Sequence, residues 1–201
     1  MHPDMSKQHI ARHDKAMRTV IQAFTKGQCG SHYLITDVGK IEGLKDIGVH
    51  SKRVPASVLP DRCLQARGLD LTVERGATDT RSKMRPDLTI LEMTMAEQQQ
   101  HLRHDDNSGS RLTPLTPVMP NGNPRSIKIV EGGYCPGTRY QEKLQEKEAQ
   151  HEALEGALKD YGYNVTTLPI IVGQSGSQYR TTTVALAKIG ICPLRGLLAM
   201  D

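Results

Sequence analysis

The chain has 201 residues, of which 37% are hydrophobic with one Phe and no Trp, so one core resting on Leu, Ile, Val, Met and Ala is expected. A formal charge of +4 and a pI of about 8.9 permit a nucleic-acid partner without demanding one. No apolar run approaches the roughly 20 residues of a membrane span, the start Met1-His2-Pro3-Asp4 lacks the apolar core of a secretory signal, and Cys29, Cys63, Cys135 and Cys192 are too scattered for a zinc site and read as reduced thiols of an intracellular protein.

The first predicted element is an amphipathic helix from Lys7 to about Lys26. Ile10, Ala16 or Met17, Val20, Ile21 and Phe24 recur at helical spacing between basic residues, and Gly27 is placed to stop it. A short strand follows from Tyr33 to Val38. The segment from Lys40 to Lys83 holds Pro55, Pro60 and several glycines, and predicts loops with one short strand. Leu88 to Thr94 predicts a strand. From Ala96 to Arg125 the chain is rich in Gln, His, Asp, Asn and Pro; such a stretch buries little apolar area and predicts a mobile insertion.

The remainder is the most legible part. Ser126 to Glu131 predicts a strand, Gly132 to Gly137 a turn, and Thr138 can cap a helix running to about Tyr161, ended by Gly162. Val165 to Val172 predicts a buried strand interrupted by Pro169 and closed by Gly173. A last helix starts at Gly176 or Ser177 and runs through Ala187 or Lys188. The order implies an α/β fold, one domain over residues 1–201, with a small mixed sheet flanked by helices.

Metal-assisted cleavage of a phosphodiester needs carboxylates that converge at one sheet edge on Mg²⁺, and a lysine to steady the water or the developing charge. Asp87 stands at the entry of one predicted strand and Glu131 at the exit of the next. As hairpin partners they would face each other. The following helix offers Lys143 and Lys147 on one face, with Glu142 and Glu146 on a neighbouring one. Each part also has a plainer meaning: Pro86-Asp87 as a turn, Glu131 as a solvated strand end, the Glu/Lys helix as an exposed ion-paired face.

Four pieces, taken in order, resemble a known family. Arg12-His13-Asp14 looks like an Arg-His-Asn/Asp element opening the first helix. Arg85-Pro86-Asp87 looks like a Lys/Arg-Pro-Asp motif, Ile129-Val130-Glu131 a strand ending in the second acid, and Tyr140-Gln141-Glu142-Lys143-Leu144 a helix bearing a displaced catalytic lysine. Gly162 to Gly173 resembles the closing strand. Together they are similar to the restriction-like endonuclease domain of site-specific non-LTR retrotransposon polyproteins, a branch of the PD-(D/E)XK superfamily.

The resemblance implies a restriction-endonuclease-like core with a flexible insertion at about 96–125, and a nucleus-located hydrolase that nicks target DNA so that a reverse transcriptase primes on the freed 3′ end. It implies Mg²⁺, with Mn²⁺ as the alternative, on Asp87 and Glu131. Lys143 is the implied catalytic lysine, with Lys147 as its substitute, and Arg12, His13 and Arg85 would hold DNA. DNA, a reverse transcriptase domain or its RNA template are the implied partners, and no membrane. The chain departs from the pattern in having Glu131 where many members have Asp, in the long stretch between the acids, and in containing neither a reverse transcriptase segment nor a CCHC zinc knuckle. It therefore reads as a piece of a polyprotein or as a degraded or domesticated copy. Two alternatives are a non-catalytic DNA-binding remnant and a resolvase- or repair-type nuclease of the same superfamily.

Other candidates have simpler readings. His101, His104, Asp105 and Asp106 lie in the polar stretch and read as solvated loop. Gly173 to Ser177 lacks the Lys-Ser/Thr of a phosphate-binding loop and reads as a helix cap. Cys135 has no base marked for it, His151 included, and Arg180 reads as surface charge.

Overall fold

The computed structural model describes residues 3–28, 32–36, 49–51, 86–102, 115–174 and 176–191. In chain order these form α1 (Pro3–Gln28), β1 (His32–Thr36), β2 (Val49–Ser51), β3 (Leu88–Glu92), α2 (Met95–Leu102), β4 (Ser126–Cys135), a 3₁₀ turn (Gly137–Arg139), α3 (Tyr140–Gln150), α4 (Glu152–Asp160), β5 (Asn164–Gly173) and α5 (Arg180–Lys188). The strands form one mixed sheet in the order β2-β1-β3-β4-β5. β3 runs antiparallel to both β1 and β4, while β1–β2 and β4–β5 are parallel pairs. This is the expected α/β arrangement of a small mixed sheet with flanking helices. No helix among the described residues is long and apolar enough to cross a membrane.

Alternation along the strands divides the core into two layers. Leu88, Ile90, Val130, Leu168 and Ile170 face α1 and α5, and pack with Met17, Val20, Ile21, Phe24, Ala185, Leu186 and Ile189. The α1 residues recur at the spacing read from the sequence, so the helix buries one stripe and leaves Arg12, Lys15 and Arg18 outside. On the other face, α3 and α4 lie against β4 and β5, where Ile129, Ile171, Leu154 and Leu158 are buried.

β5 runs through Pro169 without a break. Successive N–H groups of a strand alternate sides, so that of residue 169 would point the same way as that of Ile171. The Ile171 N–H points away from β4 and is taken by Thr182 Oγ1 of α5 at 3.0 Å, while the same hydroxyl donates to Ile171 O at 2.6 Å. The proline therefore removes a donor only from the outer edge, where no ladder bond is needed. Thr182 shields that edge from further pairing.

Three expectations change. β4 does not end at Glu131; it continues through Gly132 and Gly133 to Cys135, paired residue by residue with β5. The helix expected from Thr138 to Tyr161 is two helices, broken at His151, and Arg139 rather than Thr138 occupies the N-cap of α3. The last helix begins at Arg180, later than Gly176 or Ser177.

The polar stretch after β3 carries defined structure at both ends. Thr94-Met95-Ala96-Glu97 is a capping box: Glu97 N donates to Thr94 Oγ1 at 3.2 Å, and Thr94 N to Glu97 Oε2 at 2.8 Å. The Glu97 carboxylate also meets Arg125, whose side chain is fully buried. Arg125 donates to Glu97 Oε1 at 2.7 Å, Glu97 Oε2 at 3.1 Å, Glu92 O at 2.7 Å and Thr116 O at 2.5 Å. Tyr163 Oη donates to Leu115 O at 2.6 Å, and Leu115 and Met119 are buried. Residues 103–114, with His104, Asp105 and Asp106, lie outside the described set, as do most of residues 37–85.

The Arg125 fork joins two segments remote in sequence, and its loss would leave two carbonyls and a carboxylate without their donor. Breaking a buried pair from one side costs about 3–5 kcal/mol. Because Glu97 is 24% exposed, Arg125→Ala is expected at the lower end, about 3 kcal/mol. Urea unfolding should show a lower midpoint with an unchanged m-value; an unshifted midpoint would mean that the 115–125 segment does not depend on this fork.

Candidate functional site

The antiparallel register Leu88↔Val130 brings the residues just beyond it, Asp87 and Glu131, to the same end of the β3–β4 pair. They are cross-linked through the main chain. Asp87 N–H donates to Glu131 Oε2 at 3.1 Å, and Gly132 N–H donates to Asp87 Oδ2 at 2.8 Å. The second bond replaces a ladder bond: β3 has ended, and the Asp87 side chain takes its place beside β4. Both acids are buried.

Each acid is met from a different layer. From α1, His13 Nε2 lies 2.8 Å from Asp87 Oδ2, while its Nδ1 lies 3.2 Å from Asp14. From α3, Lys147 Nζ lies 2.6 Å from Glu131 Oε1. From the α3–α4 break, His151 Nε2 lies 3.0 Å from Glu131 Oε2. The result is a chain of polar contacts, His13–Asp87–Glu131–Lys147/His151, running through the sheet end from one helical layer to the other.

Close packing makes this possible. A Cβ on Gly132 would lie 2.8 Å from Met17 Sδ and 3.1 Å from His13 Nε2. The glycine thus admits α1 close enough for His13 to reach Asp87, which is a different reason for its presence than a turn. On the opposite face, the Cε carbons of Lys143 and Lys147 pass 3.5 and 3.6 Å from the place a Cβ on Gly133 would occupy.

The electrostatics follow from burial set against these partners. Burial alone would raise the Glu131 carboxyl, but the His151 hydrogen bond and the Lys147 charge outweigh it and hold the group at about 2. The Asp87 hydrogen bond raises His13 above its ordinary value, and burial opposes that shift.

Of the residues singled out in the sequence, Asp87, Glu131 and Lys147 are brought together. Lys143 lies beside the group but pairs with Glu146 at 2.7 Å. His13 is engaged with Asp87 and Asp14. Arg12 is exposed, with its carbonyl 3.4 Å from Tyr134 Oη. The Arg12-His13-Asp14 element lies well inside α1 and does not open it. Arg85 lies outside the described residues. Cys135 is buried and forms no disulfide.

His151 was set aside in the sequence and proves central. Its signal was present: Lys143, Lys147 and His151 are spaced by four, the period of one helix face. Its backbone leaves the helix at ψ 10° as the C-cap of α3, which turns the ring towards the sheet end.

Among the described residues no set of three or more His, Cys, Asp or Glu side chains is arranged to hold a metal ion. Asp87 and Glu131 supply two hard oxygen donors. That suits Mg²⁺, which keeps several waters and takes one or two carboxylates together with substrate phosphate.

Glu131 and His13 have opposite pH signatures in cation-free buffer. The folded Glu131 carboxyl, at about 2, lies below its ordinary 4.5, so its contribution to stability is complete above 4.5 and is lost as pH falls towards 2. The folded His13 value lies above 6.5, so its contribution is complete below 6.5 and is lost as pH rises through the raised value. Thermal melts across pH should show Glu131→Gln flattening the acid limb and His13→Gln the neutral-to-alkaline limb. Unchanged slopes in both variants would remove these groups from the pH dependence.

No protein-family model, curated protein or solved structure matches the chain.

Proposed function

We propose that the chain is a metal-dependent DNA endonuclease domain with a restriction-endonuclease-like core, which hydrolyses a phosphodiester bond in target DNA. The observation that carries this reading is the convergence of Asp87, Glu131 and Lys147 at one end of the β3–β4 pair, with Lys147 Nζ 2.6 Å from Glu131 Oε1. Two carboxylates and a lysine are a chemical set that can support metal-assisted phosphodiester cleavage. The resemblance to retrotransposon endonuclease domains agrees in the order of motifs and supplies the nuclear setting and the reverse transcriptase partner.

Asp87 and Glu131 would hold Mg²⁺ or Mn²⁺, which when bound supplies Lewis acidity towards the phosphate and an activated water. The chain's own groups set the stage. Gly132 N–H and His13 fix the Asp87 carboxylate. Lys147, whose ammonium lies 2.6 Å from Glu131 Oε1, would be the cation that steadies negative charge on a scissile phosphate. Lys143 lies one turn earlier on the same face and is more exposed, which suits it to backbone phosphate binding together with Arg12.

A second reading is favoured by one feature of the cluster. Both Glu131 oxygens already accept donors from within the chain, one of them the Lys147 ammonium, with no added cation. The chain would then be a DNA-binding module that retains the cluster as a structural plug.

Nicking of supercoiled plasmid with Mg²⁺ or Mn²⁺ decides between them. The nuclease reading expects cutting by the wild type and its loss in Asp87→Ala and Glu131→Ala. Lys147→Met should reduce the rate by roughly 10²–10³-fold, as for removal of one transition-state donor, and Lys143→Ala should act mainly on DNA affinity. Wild type and acid variants cutting alike would dismiss the site. Plasmid left intact under either cation, with DNA binding that weakens steeply with salt, would favour the binding module.

A further inference from the structure

Glu131 is held at both oxygens, but the two holds differ in kind. At Oε1, Lys147 approaches on a flexible stem from the more open side, with its side chain 12% exposed. At Oε2, His151 is fully buried, on a rigid ring whose backbone is fixed by the break between α3 and α4. Oε2 also accepts the Asp87 N–H. His151 is therefore a second donor to an oxygen that already has one, and is not needed merely to compensate it.

The ring also carries an imperfection. Its Nδ1 is buried and has no hydrogen-bond partner among the described residues. Buried polar atoms are nearly always satisfied, so one that is not calls for a reason. A side chain kept only to donate one hydrogen bond would not need a second, orphaned nitrogen. A planar ring with a single donor aimed at Oε2 does fix the rotation of the carboxylate, and with it the direction of Oε1.

We propose that His151 is a positioning residue for Glu131: its buried ring pins Oε2 so that Oε1, where Lys147 rests, is the oxygen presented to a divalent cation. The proposal rests on the endonuclease reading above. Lys147 is then an exchangeable counter-ion, released from Oε1 to the phosphate, and His151 the fixed one. Partners that orient a ligating carboxylate govern metal affinity nearly as much as the ligand itself.

The test is Mn²⁺ binding to the full chain by calorimetry, with plasmid nicking measured alongside. His151→Leu should weaken Mn²⁺ binding roughly 10–100-fold, and His151→Gln, which can return an N–H to Oε2, should restore most of it. Lys147→Met, which removes the competitor at Oε1, should bind Mn²⁺ at least as tightly as wild type while losing nicking. A structural role alone would lower thermal stability in both His151 variants and leave Mn²⁺ affinity unmoved; that result overturns the proposal. If His151→Leu does not fold, His151→Asn, too short to reach Oε2, takes its place against His151→Gln. A wild type that binds Mn²⁺ without nicking ends the endonuclease reading, and the affinity order of the His151 variants then decides the proposal alone. A wild type that neither binds nor nicks overturns both.

Discussion

A carboxylate is almost never taken out of water without partners, because desolvation of the charge costs several kcal/mol even after relaxation. Glu131 is 3% exposed, and much of the surrounding architecture serves to keep it charged there. The β3–β4 register supplies the Asp87 N–H. The break between α3 and α4 supplies His151. The face of α3 that turns towards the sheet supplies Lys147. Shifting β4 by one residue would turn the Glu131 side chain to the other face of the sheet and separate it from all three partners. The carboxylate therefore specifies the register as much as the apolar residues beside it do.

The second buried charge, Arg125, plays a corresponding role at the far end of the same strand pair. It directly precedes Ser126 at the start of β4, and Glu97 lies in the first turn of α2, which follows β3. Their pairing closes the sheet end opposite the Glu131 cluster, and the carbonyls of Glu92 and Thr116 take further guanidinium donors. The β3–β4 pair is thus clamped by ionic contacts at both ends, with Leu88, Ile90, Leu91, Ile127, Ile129 and Val130 forming the dry section between. One end is made of main-chain carbonyls and a single ion pair, and nothing in it needs to exchange. The other gathers two acids, two histidines and a lysine.

Elements whose signal lies in local periodicity were legible in the sequence. The stripe of α1, the strands around Ile90 and Ile129, and the stop at Gly162, where φ is +102°, all follow from residue spacing and conformational preference. What local patterning could not supply were features set by contacts between layers. Gly132-Gly133 has the composition of a turn, yet both lie in β4, and at Gly132 the close approach of α1, with Met17 Sδ 2.8 Å from where a Cβ would stand, leaves no room for a side chain. The Ala96–Arg125 stretch has the composition of an unstructured loop, and what orders its ends is an arginine and a glutamate 28 residues apart. The Thr94-Met95-Ala96-Glu97 box was a local signal and was overlooked. At the candidate site, the sequence places the two acids together and puts Lys143 ahead of Lys147, whereas Lys147 is the lysine that meets Glu131 and Lys143 pairs with Glu146. His151 shares the four-residue spacing of Lys143 and Lys147, but its partner Glu131 lies on another element, 20 residues away, where local patterning does not reach.

The arrangement at Glu131 also bears on how one cluster can serve both folding and chemistry. A pair of bare carboxylates at this burial would repel each other, and the folded state would depend on a bound cation for its stability. Here the chain supplies partners to Glu131 from within, and the His151 hydrogen bond and the Lys147 charge hold its carboxyl below the ordinary value. On the nuclease reading proposed above, the cation resting at Glu131 Oε1 would have to give way to a metal ion and a phosphate. Lys147 meets that condition better than His151 does. Its stem is flexible, its side chain keeps 12% exposure, and its ammonium also donates to Gln150 Oε1 at 3.0 Å. His151 has no such freedom, since its ring is enclosed and its backbone is fixed at a helix junction. On that proposal the two oxygens of one carboxylate divide the roles: Oε1 meets the flexible Lys147, while Oε2 is held by two N–H donors, Asp87 and His151.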